Sequence, residues 1–569
     1  MKPVLFEECD VKVVSVRLSV TLCVLIHAFL WAQTTPRNGL PGGEEIWRVP
    51  RSQNRMPHFE ESGERTLLYV DGLPFTVLTV EIPWWDLIYG RYRETTNAYD
   101  YLYPAAEKMG VNTLKVPIKW SMVEPKQGVY DFSYVDHVKD LAQKHHLKLV
   151  LDWFGHYASG DGTIYRNLTG EIFAPMYVVD NEKTYPRAID ADGIAHHNVV
   201  SYDYNAVIDR ETAAFRAFME HIKKIDSQTH TILMIQVENE IAVFGVDRHN
   251  SKLWRDHSRV SDNLFKEQGF TDDLKYSAWR LSSNWIRRLT NAGVEAYPLP
   301  LFLNFVGDKL VDWMVGGAPS EDLETYLTNC PSLSFVGVNL YVCSEWLPDG
   351  ACGQEPEGTV DEFRVALARF RLGRNISAIT ETNSGIDSVA QRLAYIAVGE
   401  FGAPLFSPWA LTVTHPKSYS PYVLKNGQLA NGAFALHDTY SSLSKALPQV
   451  SYYAATDKLK VFMSQLAGHW FSETEDVNGY AITVTGGDNG QAIVIHVSDH
   501  AFLIIGFRSS VSFRDPAFRW PDLKNVRVER GYWVGERWNK DGEPTYRFNQ
   551  EDHTLSIELD APQAIRVTW

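Results

Sequence analysis

The sequence predicts a (β/α)8 barrel followed by an all-β, sandwich-like domain. Eight short apolar runs, most of them separated by stretches of helical periodicity, carry the barrel reading. Two of these runs end abruptly in polar and acidic residues. Thr231-Ile-Leu-Met-Ile-Gln-Val opens into Glu238-Asn239-Glu240, and Ile376-Ser-Ala-Ile opens into Thr380-Glu381. The first is long and β-branched enough for a strand buried on both faces. Ligands of such barrels sit at the C-terminal ends of the strands, so these acids stand where chemistry occurs. Past about residue 440, short strands broken by Gly, Asp and Asn follow one another closely, the texture of an all-β domain.

The chain of 569 residues divides on this reading into a leader and linker (1–45), the barrel (46–440) and the β domain (441–569). Residues 18–32, mostly apolar and preceded by Arg17, have the length of a signal-peptide core and predict a secreted protein with no membrane association once the leader is removed. Glu7, Glu8 and Asp10 dilute the positive start, and Leu30 makes a poor cleavage site, which leaves a retained anchor or a later start as alternatives. The sequons at Asn167 and Asn375 are compatible with export. Cys343 and Cys352 flank a turn-rich loop that a disulfide could close, leaving Cys330 as a thiol; three unpaired cysteines are the alternative. Seventy acidic against 54 basic residues argue against nucleic acid or an anionic membrane as partner, and favour a neutral ligand.

In chain order, runs at 66–70 and 75–80 flank Asp71-Gly72, a hairpin signal that leads into the first barrel strand, ending at Glu81. Helical periodicity over 98–108 stops at Gly110, and the second strand, 113–118, ends at Lys119-Trp120. A helix over 134–145 precedes the third strand at 147–151, which is tipped by Asp152-Trp153. A loop-rich stretch and a helix over 209–225 lead to the fourth strand and Glu240. Strands five to eight are expected at 300–305, 332–341, 376–381 and 402–409, with Asn304, Tyr341, Glu381 and Trp409 at their tips. Helices are expected over 279–290, 360–370 and 390–398. In the last domain, strands are expected at 481–485, 492–496, 502–505, 526–530, 545–548 and 555–559, with turns at 486–490 and 541–542.

Two strand-end glutamates far apart in sequence suit a retaining glycoside hydrolase. One carboxyl donates a proton to the leaving oxygen while the other attacks the anomeric carbon. Glu240 is assigned the first role and Glu381 the second. The amide of Asn239 suits a sugar hydroxyl, Tyr341 can support Glu381, and Trp409 and Trp120 offer apolar faces to a sugar ring. Glu81 and Asp152 divide evenly between sugar contact and structural bonding. Glu238 points opposite to Asn239 along a strand and is expected to be a buried structural carboxylate. No metal or cofactor is implied: His145-His146 and His196-His197 lack metal-binding spacing, and neither a Gly-rich nucleotide loop nor Gly-x-Ser-x-Gly is present.

Gln236-Val-Glu-Asn-Glu240 resembles the acid/base signature of glycoside hydrolase family 35, a family of retaining enzymes on (β/α)8 barrels. Val123-Glu124-Pro125 with Gly128, Tyr130 and Asp131 resembles the stretch after strand two in families 35 and 42, and 173–187 resembles a family 35 subgroup with a C-terminal β domain. The resemblance implies removal of terminal β-linked galactose by double displacement. The galactose-gripping segments usual after strands one and three are replaced here by Glu81-Ile-Pro-Trp-Trp85 and Asp152-Trp-Phe-Gly-His-Tyr157, which leaves a glucoside, mannoside or arabinopyranoside open. From a different class, the chain could be a carbohydrate-binding protein without activity.

Overall fold

A computed structural model describes residues 43–83, 98–155, 173–244, 251–306, 320–340, 359–383, 389–412, 422–424, 427–464, 469–514 and 526–569. Its centre is a ring of eight parallel strands: β1 (Val77–Leu78), β2 (Thr113–Lys119), β3 (Lys148–Phe154), β4 (Ile232–Val237), β5 (Leu301–Val306), β6 (Phe335–Asn339), β7 (Ile379–Asn383) and β8 (Leu405–Trp409). They pair in the order β1-β8-β7-β6-β5-β4-β3-β2. The ring closes because Lys115 donates its N–H to Val80 O and accepts from Ile82 N–H, forming a parallel bridge between Glu81 and Lys115. β2 and β4 are buried along their whole length, as strands covered on both faces must be.

The ends of the ring differ in chemistry. At the N-terminal end, Val77, Val150, Leu233, Phe302, Phe335 and Leu405 form an apolar cluster with Leu68 and Val70. Those two belong to a lead-in hairpin (His58–Ser62, Arg65–Val70), whose Phe59 meets Phe335 edge-on at 5.7 Å. The hairpin therefore stoppers the barrel from below and leaves the C-terminal ends as the open face. Asp71 and Gly72, both left-handed with φ of 54° and 84°, turn the chain from Arg65–Val70 into a third short strand, Leu73–Pro74, on the way to β1.

Outside the ring, the helix Asn205–Asp226 buries Val207, Ile208, Glu211, Ala214, Phe215, Phe218, Met219 and Ile222, a stripe at helical spacing. Its last residue, Asp226, is buried and accepts the N–H groups of Thr231 and Ile232, which fixes where β4 begins. The helix expected over 279–290 is longer: Asp273–Arg280 passes through a π-helical segment, Leu281–Ile286, into Arg287–Ala296.

The C-terminal domain is all-β, as expected; among the described residues its nine strands, paired antiparallel, form one continuous sheet. Two long strands, Tyr480–Ser498 and Ala501–Arg514, bind different partners along their two halves. The turn expected at 486–490 is instead a register shift within Tyr480–Ser498; Asn489, with φ of 70°, takes up the extra length without breaking the pairing. Alternate residues of the long strands face two ways. Val494, Phe502 and Ile504 enter the domain's own core, whereas Ile493, Ile495, Leu503 and Ile505 belong to the large core shared with the barrel. No helix among the described residues is long and apolar enough to cross a membrane.

One sequence expectation outside the site is changed, that of the sequon at Asn375, and one is met, that of Cys330 as a thiol. Asn375 is buried: its side chain accepts from Val336 N–H and donates to Val336 O and Phe370 O, so the sequon is spent inside the fold. Cys330 is a buried free thiol, donating to Ser282 O at 3.2 Å. Cys343, Cys352 and Asn167 lie outside the described residues.

Candidate active site

A polar layer sits at the open end of the barrel, and Asn304, near the tip of β5, is its hub. Its Oδ1 accepts the Glu240 N–H at 2.8 Å. Its Nδ2 lies 2.5 Å from Asn239 Oδ1, 3.2 Å from Asn339 Oδ1 and 3.4 Å from Glu381 Oε1. Asn339, the last residue of β6, donates from Nδ2 to Glu240 Oε1 at 2.8 Å and accepts from the Thr380 hydroxyl at 2.8 Å. Two amides thus tie the ends of β4, β5, β6 and β7 together and bring Glu240 and Glu381 into one cluster. Both acids are nearly buried, 7% and 5% exposed.

After β4 the chain leaves regular structure through two left-handed residues, Glu238 (φ 65°) and Glu240 (φ 46°). A strand continued past Val237 would alternate its side chains strictly; this turn frees the three acidic and amide groups from that alternation. Asn239 is half-buried, and its Oδ1 is occupied by Gln236 Nε2 and Asn304 Nδ2. The amide nitrogen is the atom left for another acceptor.

The electrostatics separate the two acids. Burial, and then the charge of Glu381, push the Glu240 carboxyl up to about 8, against the opposing pull of Asn339 and Lys115. Glu381 Oε1 lies 3.9 Å from the ammonium of Lys115, which projects from the middle of β2 with no exposed surface. Burial alone would lower the Lys115 pKa, but Glu81, Asp152 and Glu381 outweigh it and hold the ammonium above its ordinary range. Lys115 Nζ also contacts Glu81 Oε2 at 2.7 Å, Asp152 Oδ2 at 3.5 Å and Thr380 O at 3.4 Å. Glu81 is pushed well up by burial and by the neighbouring carboxylates, against Lys115. Asp152 is pushed up to about 7, chiefly by burial and further by Glu381, against Lys115.

Glu81 and Asp152, 1% and 0% exposed, therefore lie beneath the site as partners of Lys115. Trp120 is also fully buried, and its indole N–H is bound to Glu124 Oε2 at 2.9 Å. Glu124 further takes the Tyr177 hydroxyl and Gly128 N–H and pairs with Arg210, so Trp120 packs the wall beside β2 instead of offering a face to a ligand. Trp409 ends β8 opposite Asn383 and is 8% exposed. Tyr341 lies outside the described residues. Among the described residues no cluster of His, Cys, Asp or Glu could hold a metal ion.

Sequence reasoning passed over Lys115. Its signal was a lysine in the middle of the otherwise apolar run Leu114-Lys-Val-Pro-Ile118, where a strand buried on both faces has no route to water.

A family model described as β-galactosidase, that of glycoside hydrolase family 42, matches residues 93–153. The matched segment holds Lys115, Trp120, Glu124 and Asp152 and ends before Glu240 and Glu381. The family named by the match is thus 42 and not 35: the part of Val123–Asp131 common to both families lies inside the segment, whereas Gln236–Glu240, which pointed to family 35, lies outside it. No curated protein matches the sequence. Similar solved structures include a β-galactosidase from the psychrophilic Marinomonas ef1, at 12% identity and TM-score 0.45 over 63% of this chain and 60% of that one. The exo-β-1,4-mannosidase Op5Man5 from Opitutaceae bacterium strain TAV5 is 16% identical at TM-score 0.43, over 67% and 61% of the two chains. Endo-glycoceramidase II from Rhodococcus sp. is 14% identical at TM-score 0.43, over 87% and 98%. The chain spans about 60% of the length of the first two. What the family comparison gives is a β2–β3 segment similar to that of a β-galactosidase family.

Proposed function

We propose that the protein is a glycosidase, a retaining β-glycoside hydrolase that removes terminal β-linked galactose from oligo- or polysaccharides. The observation that carries this reading is the unequal treatment of two acids in one cluster. Glu240 is held neutral near pH 7 by burial and by Glu381, while Glu381 faces the Lys115 ammonium. A protonated acid beside a carboxylate is the resting state that double displacement needs. Glu240 protonates the leaving oxygen as Glu381 attacks the anomeric carbon. The glycosyl ester then removes the Glu381 charge, the Glu240 pKa falls, and Glu240 takes a proton from the attacking water. The Asn239 amide nitrogen is available to a sugar hydroxyl, and Trp409 at the rim to the ring face.

Galactose as the sugar is supported by the family match at 93–153. Another β-glycoside is favoured by one feature: Glu81 and Asp152, which open the segments where galactose-gripping residues were expected, are both engaged by Lys115. A panel of aryl β-galactoside, β-glucoside, β-mannoside and α-arabinopyranoside decides between them, with the anomeric configuration of the first-formed product read by NMR. An inverted product overturns the retaining mechanism. Glu240→Gln with unchanged turnover removes that residue from it. Export through the leader-like run at 18–32 is part of the proposal, and N-terminal sequencing of the protein recovered from culture medium tests it.

A further inference from the structure

We propose that Glu238 and Glu211, bonded carboxyl to carboxyl in the wall behind β4, are positioning residues for the reaction, fixing the turn at 238–240 that aims Asn239 and Glu240. The proposal rests on the reading of Glu240 as acid/base.

The turn needs holding. Two non-glycine residues in the left-handed region within three positions cost about 1–3 kcal/mol each, a conformation that persists only where its surroundings over-determine it. One end is fixed by Asn304, which accepts the Glu240 N–H. The other end is fixed through Glu238. Its N–H donates to Trp153 O at 2.9 Å, its C=O accepts from Gln236 Nε2 at 3.2 Å, and its Oε1 accepts the Gly155 N–H at 2.8 Å. Its carboxyl is also hydrogen-bonded to that of Glu211.

Glu211 comes from the helix Asn205–Asp226, on the face that packs the barrel. Donors from three places converge on it: Trp153 Nε1 at 3.1 Å on Oε1, with the Tyr202 hydroxyl at 2.9 Å and Trp285 Nε1 at 2.8 Å on Oε2. Two buried carboxyls in contact cannot both ionise, so they share a proton. The three donors favour the charge on Glu211, which leaves Glu238 as the member that gives its proton to the pair. The exits of β3 and β4 and the outer helix are thereby pinned at one point. Gly155 shows how tight that point is: a Cβ there would stand 1.9 Å from Glu211 Oε1 and 2.5 Å from Glu238 Oε1. Apolar side chains of the same shape would fill this wall at lower electrostatic cost, whereas the carboxyl pair gives a directional bond at the residue two before Glu240.

The test separates aim from packing by the leaving group. A misaimed general acid slows release of a poor leaving group and spares a good one, which departs without a proton. In kcat/KM for aryl glycosides of the sugar that the native enzyme cleaves, Glu238→Ala is expected to lose roughly 10–100-fold on the 4-methylphenyl glycoside. On the 2,4-dinitrophenyl glycoside it should stay within roughly 3-fold of the native protein by the same argument. Glu238→Gln, whose amide can accept from Gly155 and donate to Glu211, is expected to stay near the native protein on both substrates. Equal losses on the two substrates, or no loss on either, overturn the proposal. Should Glu238→Ala fail to fold, Glu211→Gln carries the same comparison, because its NH2 meets donors where an acceptor is needed; the same two outcomes overturn the idea there. Glu240→Ala is run in parallel. If it lacks the leaving-group pattern, the acid/base reading itself has failed; if it shows the pattern and the Glu238 and Glu211 variants do not, only the positioning role has.

Discussion

Asn339 donates a hydrogen bond from its side-chain nitrogen to Glu240 Oε1 at 2.8 Å. An amide N–H can only donate, so this bond favours the ionised form of Glu240 and works against the burial and the Glu381 charge that keep the acid protonated. Asn339 therefore tunes how far the Glu240 pKa rises. A general acid must be protonated to act, so the alkaline limb of kcat/KM is expected near 8, with activity falling above it, while the acid limb reports protonation of the Glu381 nucleophile. Asn339→Ala removes the bond to the charged form. The alkaline limb should move to higher pH, and kcat should drop roughly 10-fold, for a lost hydrogen bond to a charged group. A pH–rate profile of the two proteins checks both, and a limb that stays in place or moves to lower pH would count against the assignment.

Lys115 is the cation that Glu81, Asp152 and Glu381 share. Removing one partner of a buried ionic cluster leaves uncompensated charge, which costs about 3–5 kcal/mol. Lys115→Met should therefore lose stability on that scale at pH 7, together with activity. The sign of its pH dependence follows from Asp152, whose pKa is raised from 3.8 to about 7 in the native fold. Between those values the folded state binds more protons than the unfolded chain, so this group's contribution falls as pH rises. Without the ammonium the folded pKa rises further, and the loss extends to higher pH. The variant's deficit relative to the native protein is expected to be largest at and above neutral pH and to shrink toward pH 4. Urea unfolding at pH 4.5 and 7.5 measures it; a deficit independent of pH would mean that Lys115 acts by packing alone.

The sheet domain braces the barrel through a close contact at Gly399. This residue lies in the π-helical segment Ile396–Glu400, and a Cβ on it would stand 2.6 Å from Val461 Cγ2, 3.3 Å from Leu459 Cδ2 and 3.4 Å from Ile493 Cδ1, all of the sheet. Gly399→Leu drives a side chain into that joint. Overpacking of this kind costs about 1–3 kcal/mol, so a thermal transition lower by several degrees is expected. Since barrel and sheet share one apolar core, the native protein should unfold in a single calorimetric transition. An unchanged melting temperature in the variant would show that the sheet stands apart from the barrel.

The sequence was most legible where the period of the apolar pattern was long and the consequence local. Each expected barrel strand has a counterpart, because a strand buried on both faces leaves an apolar run of strand length, and Glu240 and Glu381 stood out as acids ending such runs. Strand limits were less legible: Ile376 and Ser377 precede β7, since Asn375 ties the chain there to Phe370 and to Val336, the second a contact far away in sequence. Polar groups inside the barrel were read as strand-tip ligands when several are each other's partners. Glu81 and Asp152 look alike in sequence whether they face a sugar or a lysine, and only the closure of β1 against β2 brings Lys115 to Glu81. Glu211 had a signal that went unused: it falls on the apolar stripe of its helix, between Ile208 and Ala214, where a carboxylate requires partners. The turn expected at 486–490 fails for a different reason. Gly-Gly-Asp-Asn-Gly fits a bulge as well as a turn, and pairing on both sides keeps the strand going.

Asn375 carries a last expectation. In a eukaryotic secretory host its sequon, Asn375-Ile-Ser, would be presented to the glycosylation machinery during synthesis. In the fold its side chain makes three hydrogen bonds to the backbone, joining Phe370, at the end of the preceding helical region, to β6. A glycan on Nδ2 would remove at least one of the two donations and place a bulky polar group in the core, a cost of several kcal/mol on the scale of an unsatisfied buried amide. Folded protein secreted from such a host is therefore expected to carry no glycan at Asn375, and Asn375→Gln, whose longer side chain cannot reproduce the three bonds, should lower stability by about 1–3 kcal/mol. Peptide mapping before and after enzymatic deglycosylation reads the first and denaturant unfolding the second. A fully occupied Asn375 in active protein would show that the β6–β7 connection is open enough to turn this residue outward.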